Sequence, residues 1–253
     1  SLLDFSIKKF KLNKKVLLLL FSNYVIYSSI ILPLSLFLIK EEEYFLGILI
    51  SALLPPAVMA IPYVFLFEGE KETSLLAEFV GYCLTLLIIP LAFYIIQKQI
   101  NFLFLLIQLS ILMIIPFVAS RLISHENLKK YNREIVNFCI FLINASVISY
   151  NRNNLLSLIT FHPIWIIVIC KVFFIPLIVY LLIKKVKKIE RKFSISFTIF
   201  SSAKNSTLGI IMTINLFSPE TSVPLVIFNL FGVFYPLFFE FLFRTLEKYF
   251  KFK

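Results

Sequence analysis

Long apolar runs alternate with short polar connectors along the whole chain. Eight runs stand out, at residues 16–39, 44–67, 74–96, 100–123, 135–150, 155–183, 193–217 and 223–243. Seven of them are 21–29 residues long, enough for a helix to cross a bilayer with some tilt, and the fifth has only 16 residues. None shows the period-2 alternation of a membrane strand. The pattern predicts an all-α polytopic membrane protein with about eight transmembrane helices in one transmembrane domain, 1–253.

Two runs carry interruptions near their middles. In the second, Pro55, Pro56 and Pro62 fall within eight residues. Each proline removes a backbone donor and clashes with the preceding turn, so the expectation is a broken helix. Backbone freed at membrane depth has to find partners or line a cavity. In the seventh, the stretch Ser201-Ser202-Ala203-Lys204-Asn205-Ser206-Thr207 is polar and charged where the bilayer midplane falls. A Ser/Thr/Asn cluster can simply join helices. A lysine there costs ~2.5–3.5 kcal/mol on insertion scales, which points to function. The breaks lie five spans apart, an odd offset, as in transporters built from inverted repeats. Repeat one is then 1–97, with three helices, and repeat two is 100–253, with five.

The connectors set the orientation. Of 25 Lys and Arg, 20 fall in 1–15, 68–72, 121–134, 184–192 and after 243, while Lys40, Lys98 and Arg152 fall in the alternate connectors. The bias changes side with every crossing, and the positive-inside rule puts both termini in the cytoplasm. The net charge of +11 is therefore assigned to basic loops against anionic lipid, not to nucleic acid. Composition agrees: 60% hydrophobic and 15% charged residues, against about 25% charged in soluble domains. Cys83, Cys139 and Cys170 lie in apolar runs without metal-binding spacing, and His125 and His162 are far apart. No metal and no cofactor is expected. The basic start leads into a full-length span, so no cleaved signal peptide is predicted.

These residues resemble the bile acid:sodium symporter family, within a superfamily that also holds arsenical-resistance permeases and auxin efflux carriers. SLLDFSIKKFK at the start resembles the family's link after its second helix. SALLPPAVMAIPYVFLFEGE resembles its first broken helix, and SSAKNSTLGIIMTINLF its second. Family members have ten helices, so the chain reads as lacking the first two. The resemblance implies that the two broken helices cross, with sodium near the crossing and an organic anion in an adjacent cleft. Carried over by position, the sodium pattern is altered. The Glu of the family's Glu-x-x-x-Gln-Asn motif falls on Phe200 and the Gln on Lys204, while the Asn is kept as Asn205. The Ser-Asn pair of the first broken helix falls on Ala60 and Ile61. A Ser ligand matches Ser74, a Thr ligand falls on Glu78, and a Gln of the preceding helix falls on Ser28.

Lys204 is thus expected to stand where sodium binds, as a tethered cation, with Glu78 as a candidate counter-ion; the alternative is a Glu78 that reaches the cytoplasmic interface. Lys171, inside the sixth run, either lines the cleft and attracts an anion or pairs elsewhere. The site candidates are Lys204, Asn205, Ser206, Glu78, Ser74, Ser28 and Lys171. The leading function is a secondary transporter in the cell membrane that moves a small organic anion by alternating access without sodium. The alternatives are an auxin-carrier-like efflux protein and a degenerate, non-transporting partner subunit or sensor. An arsenical permease is disfavoured by the lack of cysteine in 53–67, and no motif suggests an enzyme.

Overall fold

The computed structural model describes residues 13–95, 162–186 and 189–245, together with single helical positions between 103 and 152. The fourth and fifth predicted spans lie outside the continuously described residues. The other six appear as four long helices and two broken ones. The long helices are α1 (Lys14–Leu38), α4 (Lys71–Ile95), α5 (Ile164–Lys184) and α8 (Pro219–Thr245). The first broken span is α2 (Glu42–Leu53) followed by α3 (Ala60–Leu66), and the second is α6 (Arg191–Phe200) followed by α7 (Ser206–Leu216).

Local chemistry explains the boundaries. Asn13 opens α1, its side-chain oxygen accepting the Val16 N–H at 3.0 Å. Glu42 and Glu43 occupy the first turn of α2, where the helix dipole favours acidic groups. Leu54 is extended because a proline follows it, and α2 stops there. Pro62 departs from expectation: it belongs not to the break but to the first turn of α3, where a missing N–H costs nothing. Phe67 to Glu70 turn the chain into α4 through Glu68, whose φ is 61°, and Gly69. At the second break, Ser201 and Ser202 close α6 and Asn205 caps α7, its Oδ1 accepting the Leu208 N–H at 3.1 Å. Pro163 sits at the N-cap of α5, and the start of the sixth run, 155–161, lies outside the described residues. The eighth run is longer than predicted, because Ser218 and Pro219 start α8.

The polar ends of the helices meet in two groups. At one end, Lys15 pairs with Glu70 at 3.0 Å and Glu190 at 3.5 Å, and Arg191 lies 4.0 Å from Glu68. At the other, His162 lies 3.5 Å from Glu41, and Glu43 accepts from Ser218 and Thr221. The Glu41 carboxyl is held below the usual carboxylate range by its own backbone N–H and by the imidazole. Among the described residues, connectors predicted to share a side share one end. Next to the first of these ends, Tyr63, Phe67, Tyr180, Phe239 and Phe243 interlock edge to face and stacked. Leu36, Phe37, Leu87 and Leu237 point outward, Phe37 at 86% exposure, as a lipid-facing surface requires.

Candidate functional site

The two breaks cross and bond to each other. The Ala57 N–H donates to the Ala203 carbonyl at 2.8 Å, and the Asn205 N–H donates to the Pro55 carbonyl at 3.0 Å. This is a one-rung antiparallel bridge between Pro56 and Lys204. It uses the groups flanking Pro56, so neither proline's missing N–H is called on.

Four half-helix ends converge here, and each upstream half leaves carbonyls without intrahelical donors. Those of α2 are met by Lys204. Its ammonium, in a residue only 4% exposed, donates to the Leu54 carbonyl at 2.8 Å and the Ala52 carbonyl at 3.0 Å. A third bond runs to Asn23 Oδ1 at 2.9 Å. The rings of Tyr24 and Tyr27 lie 4.5 and 5.1 Å from the same nitrogen and present their π faces. The carbonyls of α6 are met from α1 and α8. Ser22 donates to Phe197 O at 2.9 Å, the Asn23 amide to Phe200 O at 3.0 Å, and the Tyr235 hydroxyl to Ser202 O at 2.9 Å. Asn23 thus ties the two half-helix ends together, donating to one and accepting from the lysine that caps the other.

Of the residues expected at the site, Lys204, Asn205 and Ser206 are at the crossing. The Asn205 amide also donates to the Tyr82 hydroxyl of α4 at 2.5 Å. Lys171 reaches the same region: its ammonium, in a residue 1% exposed, stands 3.4 Å from Ser206 Oγ. Ser74 is fully buried on α4, and its hydroxyl has no hydrogen-bond partner among the described residues. Glu78 is buried one turn further along, at 7% exposure. Among the described residues no ion pair joins it to Lys204, whose ammonium is met by carbonyl oxygens and rings. Ser28 is half-buried and makes no bond to the crossing among the described residues. Asn23 takes that part on α1, inside a π turn at Ser22–Ile26.

The residues not foreseen are Asn23, Tyr24, Tyr27, Tyr82 and Tyr235. Their signal was present as polar groups within apolar runs, Asn23 above all. Tyr24 and Tyr27 are held by their own hydroxyls, Tyr24 donating to Gly81 O at 2.7 Å and Tyr27 bonded to Ser51 Oγ at 2.7 Å. The arrangement fixes a cation among oxygens at a helix crossing and holds a second buried ammonium beside it.

A sequence model of the SBF-like CPA transporter family matches residues 6–241. No curated protein matches the chain significantly.

Proposed function

The chain belongs to the SBF-like CPA transporter family and is an integral membrane transporter, and on that premise we propose that it moves a small organic anion by alternating access without sodium. The observation that carries this reading is the Lys204 ammonium, held by Ala52 O, Leu54 O and Asn23 Oδ1. Two carbonyl oxygens at a helix C-terminus and the Asn23 amide oxygen suit a monovalent cation, and the covalently attached one already fills the position. Two buried lysines repel further cations and favour negative solutes. Residues 1–97 and 100–253 are read as the two repeats that rock around the crossing.

Sodium is expected to leave the purified protein's stability unchanged. A ligand that binds only the folded state must raise its apparent stability. Thermal melts in matched sodium and choline chloride check this. A sodium-specific upward shift that Asn205→Ala abolishes would overturn the reading.

The orientation proposed is cytoplasmic termini in the plasma membrane, from the distribution of basic residues. Labelling from outside intact cells is expected to reach a cysteine at Ser218 and to miss one at Lys188. The reverse pattern refutes it.

A further inference from the structure

The two ring nitrogens of His162 are engaged in different ways. Nδ1 accepts the Ile164 N–H at 3.2 Å, at the start of α5, where the first N–H groups have no intrahelical acceptor. Nε2 lies 3.5 Å from Glu41 Oε1, on the connector between α1 and α2, which is longer than a good hydrogen bond. An acceptor at Nδ1 puts the hydrogen of the neutral ring on Nε2, facing the carboxylate. The ring is half-buried and meets Tyr44 of α2 edge to face, with centroids 5.6 Å apart. The charged groups on the neighbouring elements are Lys40 and Glu41 of the connector, Glu42 and Glu43 in the first turn of α2, and Glu220 of α8. The carboxylates of Glu41 and Glu220 both act on the Tyr44 hydroxyl.

A proton taken from water at this end binds Nδ1 and turns the imidazole into an imidazolium. Nδ1–H and the Ile164 N–H are then two donors face to face, and the cap is lost. The new charge also sits at the positive end of the α5 dipole, which repels it. Glu41 attracts it from the other side. The Glu41 carboxyl, held below the usual carboxylate range, stays charged over the window in which histidine changes charge, about pH 5–8. The distance from Nε2 to Glu41 leaves the ring room to close on it. Both elements that meet at this ring lead to the crossing. α5 carries Lys171 about two turns beyond Ile164. The connector runs into α2, whose far end gives Ala52 O and Leu54 O to Lys204.

We propose that His162 is a proton switch: one proton moves the ring from the cap of α5 to Glu41 and loosens the first turn of α5. The switch works whatever the solute, and the orientation proposed above places it outside the cell. Trp165, the only tryptophan in the chain, reports on this turn, its N–H bonded to His162 O at 3.1 Å. As pH falls from 8 to 5, the fluorescence of the purified full chain is expected to pass through one sigmoidal transition. His162→Asn keeps a side-chain oxygen for the cap but takes up no proton, and should be flat over that range. His125→Asn should leave the transition in place. Glu41→Gln should move it to lower pH, because the anion that favours the imidazolium is gone. Hydrogen exchange at the Ile164 amide, corrected for its intrinsic pH dependence, should quicken about 5-fold across the transition, the size of one ordinary hydrogen bond. Should His162→Asn fail to fold, Glu41→Gln and the exchange measurement decide the matter. The switch is overturned by a flat fluorescence profile in the unaltered protein, or by a transition that survives His162→Asn. It is equally overturned by a transition that Glu41→Gln leaves in place, or by one that occurs with no loss of protection at Ile164.

Discussion

Lys204→Ala is expected to destabilise the protein by roughly 3 kcal/mol in choline chloride and to make its stability depend on sodium. The substitution strips the donor from Ala52 O, Leu54 O and Asn23 Oδ1 at once. A buried acceptor left unmade costs about 1–3 kcal/mol. Removing a buried ammonium also relieves its desolvation, which acts the other way. That relief offsets part of the roughly 3–9 kcal/mol that three orphaned acceptors cost, which leaves the lower end of that range. In a chain of this size, roughly 3 kcal/mol corresponds to about 6–12 °C in melting temperature. The vacated space is lined by two carbonyl oxygens at the negative end of α2 and by Asn23 Oδ1 of α1, which is the chemistry of a sodium site. Sodium chloride should therefore restore much of the lost stability in the variant while leaving the unaltered protein unmoved. Melts of both proteins in the two salts decide it. A variant indifferent to sodium would show that the position is not a cation site, and the tethered-cation reading would fall.

How far the site could be read from the sequence depends on the kind of group involved. The breaks were legible because prolines at 55 and 56 and a polar run at 201–207 cannot continue an apolar helix. Their approach to each other came only from the family resemblance, since no local pattern states which breaks will cross. The partners of Lys204 were not legible. Backbone carbonyls belong to every residue, so a sequence offers no sign that Ala52 and Leu54 will face a charge. Reasoning by opposite charges led to Glu78 instead. Asn23 was hidden for a second reason. An Asn in an apolar run reads as ordinary helix joining, and the π turn that carries it contains no proline or glycine to announce it. Pro62 was misplaced because a proline looks the same in a break and in the first turn after one. Lys171 and Ser206 were each legible as candidates, but their meeting across 35 positions was not.

The few glycines lead to the second large effect. Only five occur in the chain, and four stand where another element presses on the backbone. Gly47 on α2 is the most confined. A β-carbon there would fall on the Thr221 carbonyl oxygen of α8, with Pro224 Cγ at 3.2 Å beside it. Neither backbone nor proline ring can rotate aside, so α2 must move away from α8. That movement strains the bonds from Ser218 and Thr221 to Glu43. It also draws the far end of α2, with Ala52 O and Leu54 O, off the Lys204 ammonium. Gly47→Ala is therefore expected to cost about 3 kcal/mol or more, the upper end for overpacking, and to abolish transport. Gly209→Ala is the informative comparison. Its β-carbon would meet Leu54 Cδ1 at 2.6 Å, the tip of a flexible side chain that can turn, so the expected loss is about 1 kcal/mol. Gly232, whose nearest neighbour is a Tyr235 ring carbon at 3.8 Å, should accept alanine without loss. Melting temperatures of the three variants should fall in that order. Equal losses at 47 and 232 would mean that α2 and α8 do not meet backbone to backbone, and that the half-helix carrying the cation's oxygens is positioned by something else.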